Sequence, residues 1–380
     1  MRILLTTFWN YPHVGGLSNY ITNLKHGMEN RGHVVEITCP NEFDGYVNTK
    51  NNISDYLWKF YQQRYGKDKK KFFQLDVNFY TYLTHLSQQN LEGYDILHAQ
   101  DLATANILGI LNEHYEKPLL YTPHGILSLN RIKFKEVDKD SLSARYFIEI
   151  DKKAVQYADK IIILSDHFRE PLKQLGAHDS KMLTVHTGIE ENEEIKQPKD
   201  ENPHQTIISC IARLTQRKGH HILLEALNMI KEHLDHVEIR IIGDGKTRED
   251  LEQQARHLRL SNVVFLGSRD DIPQLLKETD IFVLPTINDS LPISIIEAMH
   301  MGLPIVSSYV GGIPELIHHQ KEGLLSTPGD IETLSKHLLL LIQNPSLRNE
   351  LGENARKFAQ AELTVNEMSR KIEQEYQSLL

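Results

Sequence analysis

Apolar residues along this chain alternate between two textures. Short, largely apolar runs such as Ile3 to Phe8, Val34 to Cys39 and Thr206 to Ile211 read as strands of the buried type. Between them apolar positions recur at helical spacing, as in Leu17, Tyr20, Ile21, Leu24 and Met28, which share one face of a helix from about Leu17 to Arg31. The alternation continues with predicted strands at Asp95 to Ala99, Leu119 to Thr122, Lys160 to Leu164 and Leu183 to Val185, and predicted helices at Ala103 to Glu113 and Ser141 to Ala158. From Asp44 to Glu92 the pattern loosens into two helices around a lysine-rich turn, Lys67 to Lys71. Glu190 to His204 is acidic, polar and punctuated by proline, the composition of a linker.

A second alternating series follows. Strands are predicted at Thr206 to Ile211, Val237 to Ile242, Val263 to Leu266, Ile281 to Leu284 and Pro304 to Ser308. Helices are predicted at His221 to His233, Thr247 to Leu258, Ile272 to Lys277 and from Pro292 to near Gly302, with long amphipathic helices at Ile331 to Ile342 and Ser346 to Leu380. The fold class is therefore α/β. Two Rossmann-like domains, 1–190 and 205–357, joined by the linker 191–204, are expected to face each other across a cleft at the carboxyl edges of their sheets.

Composition narrows this picture. A chain of 380 residues is too long for one ordinary core. A net charge of −9 argues against nucleic acid as a partner, since neutralising phosphates needs clustered positive charge. The two cysteines, Cys39 and Cys210, lie in apolar runs of different halves and read as buried thiols in a cytoplasmic protein. Met1 to Leu5 leads directly into a strand, without the apolar region of a signal peptide, and nothing is long and apolar enough to span a membrane. The Lys67 to Lys71 run has a plain reading, a solvated surface, and a sharper one, peripheral contact with an anionic acceptor or a lipid headgroup at the inner face of the membrane.

Candidate chemistry gathers at strand ends. Gly15 and Gly16 occupy a strand-to-helix turn, where backbone can approach a ligand or simply turn tightly; the pattern lacks the spacing of a dinucleotide fingerprint. His124 stands between Pro123 and Gly125 at a strand's carboxyl end, placed either to reach a ligand or to hold structure. Arg213 and Lys218, in a loop containing Gly219, can converge on one anion, and a diphosphate suits two cations. In the stretch Asp280 to Leu316 a strand leads through a polar turn to a helix whose start, with Ser290 as cap and Pro292 in the first turn, is a ready anion site. Asp289 suits a sugar hydroxyl or a charge developing at a reacting carbon, and Glu297 suits the hydroxyls of a ribose.

These residues carry a family resemblance. Asp289 and Glu297 with seven residues between them, then Ala298-Met299, Gly302, Pro304-Ile305-Val306 and Gly311-Gly312-Ile313-Pro314-Glu315-Leu316, resemble the corresponding region of retaining GT-B glycosyltransferases of family 4. Gly15-Gly16 with Tyr20, Gly32-His33, Asp95 and His98, Pro123-His124-Gly125, Gly188-Ile189, Arg213-Leu214, Lys218-Gly219, Gly243-Asp244-Gly245 and Phe265-Leu266-Gly267 agree in order over nearly the whole length. The resemblance implies metal-independent, cofactor-free transfer of a sugar from a UDP- or GDP-sugar to a hydroxyl of a sugar, glycolipid or small-molecule acceptor, with retention at the anomeric carbon. It implies that Arg213, Lys218, backbone N–H groups after Asp289 (Ser290, Leu291) and those around Gly15 and Gly16 hold the diphosphate. Glu297 would bind the ribose, and His124 and Asp289 would lie near the transferred sugar. The base is expected against the segment from Gly243 to Arg269, and the final helix, 358–380, is expected to cross back to the first domain.

The chain departs from the family in one place. Asp289 stands where glutamate is usual, followed by Ser290-Leu291-Pro292 in place of the commoner Gly-Phe-Gly. The shorter acid reaches less far, and Pro292 has no N–H to offer. Two alternatives share the architecture: a nucleotide-sugar 2-epimerase, and a catalytically inactive sugar-nucleotide-binding partner protein.

Overall fold

The computed structural model describes residues 1–13, 15–64, 69–190 and 205–380, with side chains from 64 to 72 outside that description. The expected linker 191–204 thus falls outside the described residues, as do 67–68 and the side chains of the whole lysine run at 67–71. The chain forms two compact units, Met1–Val185 with Met368–Leu380, and His186–Glu367.

In chain order the first unit contains β1 (Arg2–Thr6), α1 (Gly16–Asn30), β2 (Val34–Thr38), α2 (Tyr46–Arg64), α3 (Lys69–Leu86), β3 (Ile96–Ala99), α4 (Leu102–Tyr115), β4 (Leu119–Tyr121), α5 (Leu127–Lys133), α6 (Leu142–Tyr157), β5 (Lys160–Ile163), α7 (Arg169–Gln174) and β6 (Met182–Thr184). Its parallel sheet has the order β2-β1-β3-β4-β5-β6. Ile3, Leu4, Leu5, Ile96, Leu97, Ile161 and Ile162 are fully buried, as central strands covered on both faces require. The two helices expected between Asp44 and Glu92 are α2 and α3, and Asp76 of α3 accepts hydrogen bonds from the hydroxyls of Tyr61 on α2 and Tyr146 on α6. The pattern of apolar residues did not predict α5 and α7, which at 7 and 6 residues complete fewer than two turns and show no period.

The second unit begins its sheet with β7 (Thr206–Ile211) and continues through α8 (His220–Met229), β8 (Val237–Ile242), α9 (Arg248–His257), β9 (Val263–Gly267), α10 (Ile272–Glu278), β10 (Ile281–Leu284), α11 (Ile293–His300), β11 (Ile305–Ser308), α12 (Ile313–Leu316), β12 (Gly323–Ser326), α13 (Ile331–Gln343) and α14 (Pro345–Glu362), to α15 (Val365–Leu379). The strand order is β12-β11-β10-β7-β8-β9, again all parallel. No helix among the described residues is long and apolar enough to cross a membrane.

The expected single helix from Ser346 to Leu380 is two helices, and the return toward the first unit starts at Val365 rather than near 358. The break has a visible cause. Ile189 N–H donates to the Leu363 carbonyl (3.0 Å), Val365 N–H donates to the Ile189 carbonyl (3.1 Å), and these take the backbone groups that would have continued the helix. Thr364 restarts it, its hydroxyl accepting from Glu367 N–H at 3.1 Å. Met368, Ile372 and Tyr376, one helical turn apart, are buried. Each contributes about 1.5–3 kcal/mol of burial. Beside them Glu373 binds Arg31 (2.5 Å) and His33 (2.7 Å).

Candidate active site

Within the second sheet β7 lies beside β10, yet the chain leaves them in opposite directions, β7 toward β8 and β10 toward β11. In sheets of this kind ligands bind where the two connections diverge. Two loops leave this point, one after β7 with Arg213 and Lys218, and one after β10 with Asp289 and Ser290. The two loops are stitched together: the Arg217 carbonyl accepts from Ile287 N–H at 2.7 Å and from the Thr286 hydroxyl at 3.0 Å. On the other flank Leu214 N–H donates to the Asp244 carbonyl at 2.9 Å. A Cβ on Gly243 would lie 2.2 Å from the Ala212 carbonyl oxygen. Gly243 therefore allows two protein loops to pack closely at the edge where the donor is expected.

Lys218 Nζ lies 2.5 Å from Asp289 Oδ2, each side chain only 12% exposed. The sequence suggested separate partners for these two residues, a phosphate and a sugar, and the structure joins them to each other. Asp289 Oδ1 and the exposed Arg213 guanidinium make no hydrogen bond among the described residues. The pair is held from behind by Gly311, whose φ of +60° brings its backbone onto the Asp289 carbonyl, and by Gly312 N–H, which donates to the Ser290 carbonyl at 2.7 Å.

Helix α11 starts at Ile293, with Pro292 in the cap position (φ −73°, ψ 116°) and no side-chain cap. Ser290 is thus not the cap and Pro292 is not in the first turn; the bond from Gly312 holds Ser290 two residues short of the cap. Leu291 is buried beside them. Glu297, on α11, is half-buried and has no side-chain partner among the described residues, and burial pushes its carboxyl up to about 6. An acid whose folded-state pKa is raised penalises folding fully above that value and not at all below its ordinary 4.5. Glu297→Gln is therefore expected to raise stability at pH 7.5 by about 1–2 kcal/mol. The gain should disappear near pH 4.5, as denaturant unfolding at the two pH values will show.

Arg269, expected to meet the base through its backbone, has its guanidinium engaged with Asp271 on the surface, Nε to Oδ1 at 2.8 Å and Nη2 to Oδ2 at 2.6 Å, which leaves its backbone role as an expectation. Glu315, in the Gly311 to Leu316 segment, is held by His186 Nε2 at 3.0 Å.

In the first unit the switch point lies between β1 and β3. Gly15 stands at the cap of α1 with φ 151°, and α1 begins at Gly16. Asp101, which was overlooked in the sequence, ties this edge together. Its carboxylate accepts from Phe8 N–H (2.5 Å) and the Thr7 hydroxyl (3.2 Å) in the loop that leads to Gly15, and from Thr104 N–H (2.9 Å), capping α4. An aspartate between a strand end and a helix start was the available signal. His124 packs edge-on against Tyr20, with ring centroids 4.8 Å apart, and its Nε2 lies 3.5 Å from Gln100 Oε1. Burial lowers its pKa to about 3, so the ring is neutral at ordinary pH and acts as a hydrogen-bonding group rather than a cation. Among the described residues no three His, Cys, Asp or Glu are grouped to hold a metal ion.

Comparison with known proteins bears on this architecture directly. A model of glycosyl transferases group 1 matches residues 191–358, and one of glycosyltransferase family 4 matches residues 14–193. The chain belongs to the group 1, family 4 glycosyltransferases. The transferase is 24% identical over 362 residues to an uncharacterized glycosyltransferase of Methanocaldococcus jannaschii, covering 94% of this chain and 93% of that one. It is 32% identical over 215 residues to the amylovoran biosynthesis glycosyltransferase of Erwinia amylovora, covering 53% of each. Among solved structures, Anabaena HepE in complex with UDP and glucose superposes with a TM-score of 0.73 at 21% identity, over 99% of both chains. That likeness shows that the transferase has the GT-B fold, with its two Rossmann-like sheets.

Proposed function

We propose that this transferase moves a sugar from a UDP- or GDP-sugar to an acceptor hydroxyl, with retention and without a metal, in the synthesis of a polysaccharide or glycoconjugate. The observation that carries the reading is the β7/β10 edge, where Lys218 and Asp289 pair across two stitched loops, Arg213 stands exposed on the first of them, and Glu297 follows on α11 with no side-chain partner among the described residues. Two relatives support the chemistry: HepE was solved with UDP and glucose, and the Erwinia protein is named for amylovoran biosynthesis.

In this reading Arg213 and Lys218 neutralise the charge that grows on the leaving diphosphate, each contact contributing about 1.5–3 kcal/mol. Glu297 accepts from ribose hydroxyls, a role in which its half-buried carboxylate exchanges a bare environment for donors. Asp289 keeps Lys218 in place through Oδ2 and offers Oδ1 to a sugar hydroxyl, which gives the shorter acid two tasks. The acceptor oxygen bonds to the anomeric carbon on the face from which the diphosphate oxygen departs, and the acceptor proton goes to the departing phosphate oxygen.

His124→Ala is expected to leave the Kd for UDP within about twofold while lowering turnover roughly 100-fold, the scale of losing one positioned hydrogen-bonding group. Proton NMR of UDP- and GDP-sugars incubated with the enzyme in EDTA tests the reaction class. Retention predicts slow donor hydrolysis with the α anomer formed first from an α-linked donor. An epimerised donor, or no turnover of any donor with or without an acceptor mixture, would contradict it.

A further inference from the structure

Three fully buried polar side chains of the first unit form an unbroken chain that no role in donor binding explains. The Tyr376 hydroxyl, on α15, lies 2.6 Å from His98 Nδ1, and His98 Nε2 lies 2.7 Å from the Thr122 hydroxyl; all three residues are shielded from solvent. A neutral imidazole has one donating and one accepting nitrogen. Burial lowers the His98 pKa to about 3, which keeps the ring neutral. A phenol is the stronger donor, so Tyr376 O–H donates to Nδ1 and Nε2–H donates to Thr122. A fully satisfied buried polar chain rigidifies what it joins.

At its far end this polar chain meets the segment that carries His124. Thr122 N–H makes the last ladder bond of its segment, to the Ala99 carbonyl at 2.9 Å, and Pro123 has no N–H. Among the described residues the His124 N–H makes no hydrogen bond. The ring of His124 is then fixed by Tyr20, packed edge-on, and by the long approach to Gln100. The Thr122 side chain is accordingly the last firm anchor before His124. At the near end, α15 starts in the second unit, where Val365 is bonded to Ile189, and finishes in the first.

We infer that Tyr376 and His98 are positioning residues for His124: the C-terminal helix, seated by its buried face, holds the end of β4 through Thr122. The inference rests on the functional reading of His124 given above. It makes α15 part of the active-site support and not merely a covalent return.

The test uses Tyr376→Phe, which removes one hydroxyl, together with His124→Ala and the double variant, in the full-length protein. Turnover is followed as nucleoside diphosphate released from whichever UDP- or GDP-sugar the wild type turns over, affinity for that diphosphate is measured by calorimetry, and histidine ring nitrogens are observed by 15N NMR. Tyr376→Phe is expected to keep that Kd within about twofold, to lower kcat about 10-fold, and to shift the His124 ring resonances together with those of His98. In the His124→Ala background its effect on kcat should vanish, because residues acting through one another are non-additive. Thr122→Val, which breaks the other end, should give the same pattern, and it decides the matter if Tyr376→Phe fails to fold. Additive losses with unmoved His124 resonances would overturn the relay. If His124→Ala alone turns over normally, the functional reading of His124 falls and the relay falls with it as a catalytic support.

Discussion

Lys218→Ala is expected to weaken binding of the nucleoside diphosphate, UDP or GDP, roughly 100-fold and to destabilise the second unit at the same time. The first effect is the loss of a charge-assisted contact to the diphosphate, worth about 1.5–3 kcal/mol. The second follows from Asp289, which is 12% exposed and would be left without its 2.5 Å partner. Stranding one member of a secluded pair costs about 3 kcal/mol, the low end for buried pairs because this one is not fully enclosed. Asp289→Asn in the Lys218→Ala background should recover part of the stability and none of the affinity. Calorimetry and urea unfolding on the three variants separate the two effects. Normal affinity for the nucleoside diphosphate in Lys218→Ala would remove the diphosphate assignment.

Gly311→Ala should be more damaging than any charge change at the site. The new Cβ would fall 1.7 Å from the Asp289 carbonyl oxygen, and φ is +60°. The left-handed conformation alone costs an alanine about 1 kcal/mol. The collision is with backbone, so the 289–290 turn has to move, breaking the Gly312 to Ser290 bond and displacing Asp289 from Lys218. We expect a loss of at least about 3 kcal/mol of stability, with UDP binding abolished in whatever remains folded. Gly32→Ala is the control. Its φ is +84°, yet nothing lies within 4 Å of the added Cβ, so only the conformational strain should appear. Equal effects in the two variants, read by urea unfolding, would mean that the close approach at Asp289 is unimportant.

The alternation of short apolar runs with helical periodicity was enough to place most strands and both sheets, because parallel strands buried on two faces leave an unambiguous trace. It failed where the determining contact is distant in sequence. Near Leu363 the only local signal is the capping-box spacing of Thr364 and Glu367; the break is completed because Ile189, far away in the chain, takes the local backbone groups. α5 and α7 are too short to show a period, and Pro292 reads as a first-turn proline until Ser290 is seen bonded to Gly312. At the site, the residue types at strand ends were legible, and so was the anion chemistry that two cations five apart suggest. Which groups meet was not. The Lys218–Asp289 pair, the burial that keeps His124 neutral and the Asp101 tie depend on neighbouring loops brought together by strand order, which spacing along the chain does not encode.

The central claim is that the β7/β10 edge of the second unit holds a nucleoside diphosphate with cations of the protein itself. Titration calorimetry of UDP and of GDP into the wild-type protein, in buffer containing EDTA and then with added magnesium, tests it most directly. One of the two nucleotides should bind in EDTA with one site per chain and a Kd that magnesium leaves essentially unchanged. No binding of either in EDTA, with affinity appearing only on addition of magnesium, would contradict the account.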